Sequence, residues 1–401
     1  MSRPEFDAII VGASIAGSSA AIRLAQRGFR ILLLDRAVFP RDKVCGEGMM
    51  PAGVEILSEM GLQQELKRLG AVFFQGIRFL LPGGPHFEIP FSRLSSGLQG
   101  CAIPRSRLDN LLACRASRQG GVTFLQGWTV QSAAAGAAAV QVVARCNGRA
   151  ERFQGRLLIG ADGIRSRWPR RFGIGAYPSR YRRFALRARF AEYCGDTSRV
   201  DVHTTPGGEA YVAPQADGGA LLTLLLPAPG RNLGGASADT FLRFLKGFPR
   251  LLALIPPGCP PQNVQSTAPL GKRLDCCHGH RLILLGDAAG AVDPVTGQGM
   301  TLALRDAQLA AEILKERLRE DRLQSADLVD YTRLRNRYFL PAYQFAEGLL
   351  LALQYPSVAR RIARSLTRNP RLRGKLLALQ ADSAPPQPVT WLDKLRLLSG
   401  I

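Results

Sequence analysis

Several features are missing from this chain, and each absence narrows its class. No stretch of the 401 residues holds about 18 uninterrupted apolar residues, so no membrane-crossing helix is expected. The eight cysteines (Cys45, Cys101, Cys114, Cys146, Cys194, Cys259, Cys276 and Cys277) include no C-x-x-C pair, which removes spacing support for a structural zinc site. Thiols and imidazoles crowd together in "CCHGH", from Cys276 to His280. That segment stands just before an apolar strand and reads as a connecting loop, so no metal site is expected. Scattered thiols in a chain of this length fit a reducing, cytoplasmic setting. No internal repeat is visible, which excludes solenoids and propellers. The apolar N-terminal segment opens with Glu5 and Asp7 and is broken by glycines and Arg23, unlike a signal peptide.

Acidic residues are also scarce. Asp and Glu number 31 against 53 Lys and Arg, a formal balance of 53 − 31 = +22. Such an excess suits a membrane surface, nucleic acid or a phosphate-bearing ligand, although a solvated arginine-rich face would give the same count. No nucleic-acid motif accompanies the charge, and nucleic acid is not expected as a partner. The chain is 46% hydrophobic, enough for a sizeable core.

The first unit is nucleotide-like. "DAIIVG" is a short apolar run suited to a buried parallel strand, and "IAGSSAAIRLAQRG" has helical composition with Gly28 as its stop. "FRILLLDR" is a second buried strand that ends at Asp35. Gly12 and Gly17 hold the outer positions of a G-x-G-x-x-G fingerprint, while Ser14 replaces the middle glycine. Gly12 makes the tight turn, and Gly17 lets helix and strand approach. Ala16 lies in the helix start, where free N–H groups and a partial positive charge face a pyrophosphate. Ser14 adds only a hydroxymethyl group, whose hydroxyl can donate to a phosphate oxygen. Asp35, with Arg36 beside it, stands where a carboxylate binds an unphosphorylated ribose diol. The unit alone fits FAD or NAD.

Two later segments narrow the choice. "RLLIGADGIRSRWPRRFGI" carries a strand into Asp162-Gly163, and "RLILLGDAAGAVDPVTGQGMTLALRDAQLAAEIL" carries another into Gly286-Asp287 and then a glycine-rich turn. From about Asp7 to Leu314 the chain resembles the single-component, two-domain flavoproteins. That group includes flavin-dependent aromatic hydroxylases, flavin-dependent halogenases and geranylgeranyl reductases. The resemblance implies FAD as cofactor. It gives Asp287 to the ribityl hydroxyls. It puts Gly297, Gly299 and Met300 at the flavin pyrimidine edge, where a helix N-terminus stabilises the negative charge of reduction. Pro294 would shape the loop beside the ring. Arg105, in "CAIPRSRLDNLLACRA", would meet the pyrophosphate or ribityl region, Asp162 would support the flavin loops, and Val130 would end the strand touching adenine.

"FPRDKVCGEGMMPAGVEIL" resembles the PR-x-K-x-CG loop of the reductase and halogenase branches. The resemblance runs Arg41 and Lys43 along the cofactor and brings Cys45 near the ring. No W-x-W-x-I-P stretch is present, and "GAVFFQGIRF" lacks the halogenase lysine. The Y-x-W-x-F-P stretch of the prenyl reductases corresponds to "AYVAPQADGG", which keeps Tyr211 and Pro214 and replaces the Trp and Phe. Cys45 and Tyr211 are the pocket candidates for chemistry, and no catalytic residue is assigned.

The expected fold is α/β, with a discontinuous Rossmann-like FAD-binding domain over 1–75, 100–175 and 269–340. An inserted antiparallel β-sheet domain for substrate covers 76–99 and 176–268, where the strands show period-2 character. A basic helical region covers 341–401. The pocket between the domains is the expected site for a small hydrophobic substrate. In the tail, Val358, Ile362 and Leu366 recur at four-residue spacing, and Trp391, Leu395 and Leu398 share a face. Nine Lys and Arg oppose two Asp from Pro356 to Ile401. Such helices either touch an anionic membrane peripherally or cover a core. The leading expectation is an FAD-dependent monooxygenase acting on a hydrophobic or aromatic molecule. The alternative is a flavin-dependent C=C reductase or dehydrogenase of a prenyl- or polyketide-like substrate, and a non-catalytic flavin-binding membrane-associated protein comes third. NAD(P)H is the candidate electron donor, without a second dinucleotide fingerprint to hold it.

Overall fold

The structure, a computed structural model, describes residues 4–81, 86–93, 97–206, 208–228 and 235–381. Strand β1 (Phe6–Val11) is buried throughout, as an apolar run covered on both faces must be. It passes through Gly12, at φ 103°, into helix α1 (Ile15–Ala25), and Gly28 at φ 88° turns the chain back into β2 (Ile31–Asp35). Only glycine takes such a φ without strain. Helix α2 (Arg105–Ser117) precedes β3 (Val122–Gln126), and β4 (Arg149–Gly160) and β5 (Leu282–Leu284) complete a parallel core in the order β5-β4-β1-β2-β3. All four neighbouring pairs in that order are parallel. A hairpin of Thr129–Ala135 and Val140–Cys146 extends antiparallel from β4.

The second sheet has seven strands in the spatial order Gln262–Thr267, Arg183–Phe190, Ala220–Pro227, Gly208–Pro214, Val200–Thr205, Gly76–Leu80 and His86–Pro90. It is not wholly antiparallel. Val200–Thr205 runs parallel to Gly76–Leu80, because the antiparallel pair Gly76–Leu80 and His86–Pro90 comes from an earlier part of the chain and joins at the edge. Alternation along Arg183–Phe190 sends Phe184, Leu186, Ala188 and Phe190 into a separate apolar cluster with Phe241 and Leu245. Arg183 and Arg187 fall on the opposite face.

Helix α3 (Gly299–Arg319) packs on α1, whose Gly17, Ser18, Ser19, Ala20 and Ala21 allow a close approach. Helix α4 (Ser325–Gln354) runs without a break through Pro341. The expected boundary at 340/341 therefore falls inside a helix. Its buried face, Phe339, Ala342, Ala346 and Leu350, continues across the proline, and that burial outweighs the single backbone hydrogen bond the ring removes. Helices α5 (Pro356–Arg368) and α6 (Pro370–Ala381) follow the turn at Tyr355. Trp391, Leu395 and Leu398 lie outside the described residues. Among the described residues, no helix is long and apolar enough to cross a membrane.

Candidate functional site

One cleft runs from the N-terminus of α1 to the N-terminus of α3 and under the second sheet. Both helix ends fit anionic groups. Ser14 is the N-cap residue of α1 and Gln298 that of α3, and neither side chain caps its helix. Ser14, Ile15, Ala16, Gly297, Gly299 and Met300 line the cleft at these two helix starts. The turn before α1 leaves no slack. A Cβ on Gly12 would lie 2.4 Å from the Ala161 carbonyl oxygen, and one on Gly17 would lie 1.8 Å from the Gly12 oxygen. These residues fit the pyrophosphate and ring ends of FAD.

Between the two ends stands a charge cluster. Asp109 is fully buried, and its Oδ2 accepts from Arg41 Nη1 at 2.7 Å, Arg105 Nη2 at 2.9 Å and the Ser14 hydroxyl at 2.9 Å. Arg105 Nε donates to Asp109 Oδ1 at 2.9 Å, and its Nη2 also donates to Ser14 Oγ at 2.8 Å. Burial disfavours the Asp109 carboxylate, but Arg105 foremost, then Arg41 and Lys43, outweigh it and hold its pKa below the usual range. Arg105 is only 4% exposed, far from a surface arginine. The Ser14 hydroxyl donates to Asp109. A carboxylate is the stronger acceptor within reach, and it turns the serine into a strut between α1 and α2.

The loop after β2 crosses this cluster. Lys43 Nζ lies 3.2 Å from Asp287 Oδ2. Burial opposes ionisation of Asp287, yet Lys43, with Arg105 and Lys272, brings its pKa down. Cys45 is half-buried on the cleft wall, and its Sγ accepts from the Glu47 N–H at 3.4 Å. Glu47, at φ 60° and 5% exposed, accepts from the Arg105 N–H at 3.0 Å and from Arg187 Nη1 at 3.2 Å. Burial pushes its pKa up against the pull of both arginines. Arg187, on the second sheet, also pairs with Asp42 and with Gln265 at 2.8 Å. The Arg41–Glu47 segment is thus tied to α2, to the turn after β5 and to the second sheet.

At the far end, Pro294 is exposed to the cleft in a short 3-10 turn, Pro294–Thr296, which Asp293 caps by accepting from the Val295 N–H at 3.0 Å. Arg183 Nη1 holds Asp293 at 2.7 Å, and Arg183 Nη2 holds Glu209 at 2.7 Å. The Tyr211 hydroxyl donates to the Val295 carbonyl at 2.7 Å, and burial raises its pKa well above the ordinary value. That hydroxyl is committed to the turn. The sheet presents Ile77, Val200, Val202, Val212 and Leu225 to the cleft, and Met50 joins them.

The remaining sequence candidates sit outside the cleft wall. Asp35 Oδ2 accepts the Ala13 N–H at 2.7 Å and Oδ1 the Ala37 N–H at 2.8 Å. One carboxylate oxygen therefore holds the fingerprint loop and the other the chain just after β2. Arg36 is exposed, and half-buried Val130 pairs with Ala144 in the hairpin. The Trp128 N–H, donating to the Asp35 carbonyl at 2.9 Å, keeps that hairpin beside β2. Asp162 is exposed past the end of β4, beside Gly12. Sequence reasoning missed Asp109, Glu47, Arg183 and Arg187. The i,i+4 pairing of Arg105 with Asp109, and the arginines at alternating positions of an otherwise apolar strand, were the available signals.

Comparison with known proteins agrees with this geometry. The model of a family described as "FAD binding domain" matches residues 5–218 and 260–343. Menaquinone reductase of Mycobacterium tuberculosis is 30% identical over 329 residues, covering 78% of this chain and 77% of the relative. Digeranylgeranylglycerophospholipid reductase 1 of Methanopyrus kandleri is 27% identical over 335 residues, covering 82% and 85%. A flavoprotein/dehydrogenase from Cytophaga hutchinsonii superposes with a TM-score of 0.83 at 19% identity, covering 94% of this chain and 93% of that one, a likeness of fold. The family match spans most of the chain and all three flavin motifs, so this protein belongs to the FAD binding domain family of flavin-dependent oxidoreductases, with FAD as its cofactor.

Proposed function

We propose that this protein is an FAD-dependent reductase that saturates a carbon–carbon double bond in a polyprenyl chain. The observation that carries this reading is the apolar wall of Met50, Ile77, Val200, Val202, Val212 and Leu225, which offers a hydrocarbon surface to a substrate. The relatives' substrates support it, since menaquinone and digeranylgeranylglycerophospholipid both carry unsaturated isoprenoid chains.

Bound FAD, once reduced, supplies the hydride equivalent. Reduction of an alkene also consumes one proton at the neighbouring carbon. Cys45 is the proposed donor, because its thiol lines the cleft while the Tyr211 hydroxyl is held by Val295. The N-terminus of α1, Arg105 and Arg41 hold the pyrophosphate, Asp287 and Lys43 the ribityl chain, and Gly297 to Met300 the pyrimidine edge. Asp35, Arg36 and Val130 serve the adenosine end, and Asp162 supports the loops. NAD(P)H or an electron-carrying protein delivers the two electrons. Oxygen transfer is the second reading, favoured by "LRDAQLAAEIL" in α3, a stretch that resembles the flavin-dependent aromatic hydroxylases. Mass analysis of the product from a polyprenyl quinone separates the two. Reduction adds two hydrogen atoms per turnover, whereas a product heavier by one oxygen atom overturns the reductase assignment.

A further inference from the structure

The exposed side of the C-terminal helices carries a pattern that the cleft does not use. Gly348 and Leu351 lie on the outer face of α4 and Tyr355 stands just past its end, with Leu351 46% and Tyr355 54% exposed. Beyond the turn at Tyr355, α5 exposes Arg361, Arg364 and Arg368 at spacings of three and four, one helical face. From Pro356 to Ala381 the sequence has seven Lys and Arg and no Asp or Glu. Glu347, the acid beside the apolar stripe, is mostly buried and paired with Arg180 at 2.8 Å, so it does little to offset these arginines.

The apolar stripe noted in the sequence points the other way. Leu366 is buried, Val358 and Ile362 are half-buried, and α5 packs on α4. The stripe covers the protein, and the arginines face outward.

We propose that the outer face of α5, with Leu351 and Tyr355 at the end of α4, docks this enzyme on an anionic lipid bilayer. Charge complementarity selects the partner. An acid-free cluster of arginines beside an exposed tyrosine and leucine matches an anionic headgroup layer over an apolar interior. Position gives it a purpose. The buried face of α4 packs on Val292 and Val295, and Val292 lines the cleft, so the docking face is the outer side of the helix that backs the substrate site.

The test is co-sedimentation of the full-length FAD-bound protein with vesicles. It should sediment with an equimolar phosphatidylcholine–phosphatidylglycerol mixture, not with phosphatidylcholine alone, and high salt should release it. The triple variant Arg361→Gln/Arg364→Gln/Arg368→Gln should lose roughly 100-fold in partitioning, at about fivefold per arginine near an anionic surface, with its FAD content unchanged. The matching triple lysine variant should bind as the parent does, since a bilayer reads charge rather than guanidinium geometry. Leu351→Ser/Tyr355→Ser should weaken binding and leave its salt dependence in place. Equal binding to both vesicle types overturns the proposal, as does parental binding by the glutamine variant. So does displacement from anionic vesicles by double-stranded RNA at equal phosphate concentration. Sedimentation is read without turnover, so its failure leaves the reductase assignment standing.

Discussion

Replacing Asp109 with asparagine removes the one charge that Arg105 and Arg41 share. Asp109 has no exposed side-chain surface, and Arg105 is 4% exposed, so water cannot take over as partner. Removing one member of a buried ion pair costs about 3–5 kcal/mol, mainly through the charge left behind. Asparagine retains one acceptor, which puts the expected loss near the lower end, about 3 kcal/mol. For a domain of 150–250 residues that corresponds to a melting point lower by about 6–12 °C, and the longer chain here shifts less per kcal/mol. FAD should then behave differently in the two proteins. Its pyrophosphate brings negative charge to the guanidinium groups that Asp109 neutralises in the parent, so saturating FAD should stabilise the variant more than the parent. The assay is a pair of thermal melts, apoprotein and FAD-saturated, on parent and Asp109→Asn. Apoproteins that melt together, or a gap that FAD leaves unchanged, would refute the view that Asp109 is the internal counter-ion of a phosphate site.

Asp287→Ala should lose one charge-assisted contact to the cofactor, weakening FAD by about 10–100-fold in a fluorescence titration; retained stoichiometric FAD after gel filtration of a dilute sample would count against its role. Gly12→Ala should abolish FAD binding and destabilise the fold, because its φ of 103° is strained for alanine and the added Cβ would sit 2.4 Å from the Ala161 oxygen. Gly28→Ala meets nothing within 4 Å, and its φ of 88° alone should cost about 1–2 kcal/mol with FAD binding intact. Buried His203 gives a pH signature. Burial foremost, opposed by Asp201, brings its imidazole from 6.5 down to about 4. The folded chain then binds fewer protons than the unfolded one between those values. Its contribution is present above pH 6.5 and is lost as pH falls towards 4, about 3 kcal/mol in full. His203→Phe should flatten that part of the denaturation profile relative to the parent, and an unchanged slope would remove His203 from the account.

The βαβ start was legible because its signals are local. An unbroken apolar run, a glycine at a positive φ and a small-residue helix face each act within a few residues. The three flavin motifs were legible because each sits where a strand ends. The centre of the cleft was not. Asp109 matters because α2 brings it under Ser14, 95 positions away in sequence, and Glu47 because a left-handed turn points it at Arg187, 140 positions away. Neither pairing has a sequence period. Ser14 looked like a small compromise in a phosphate loop; its role as a strut follows only from the carboxylate beneath it. The boundary expected at 340/341 falls inside α4 because the apolar face of that helix continues on both sides of Pro341.

The most direct measurement is anaerobic. Protein with photoreduced FAD is mixed, without oxygen, with a menaquinone-type substrate whose quinone ring is already reduced, and flavin absorbance is followed in the stopped flow. Reduction of a polyprenyl double bond predicts reappearance of oxidised flavin, with one C=C lost for each flavin oxidised. Flavin that stays reduced until oxygen is admitted, followed by an oxygen-bearing product, would contradict the reductase assignment.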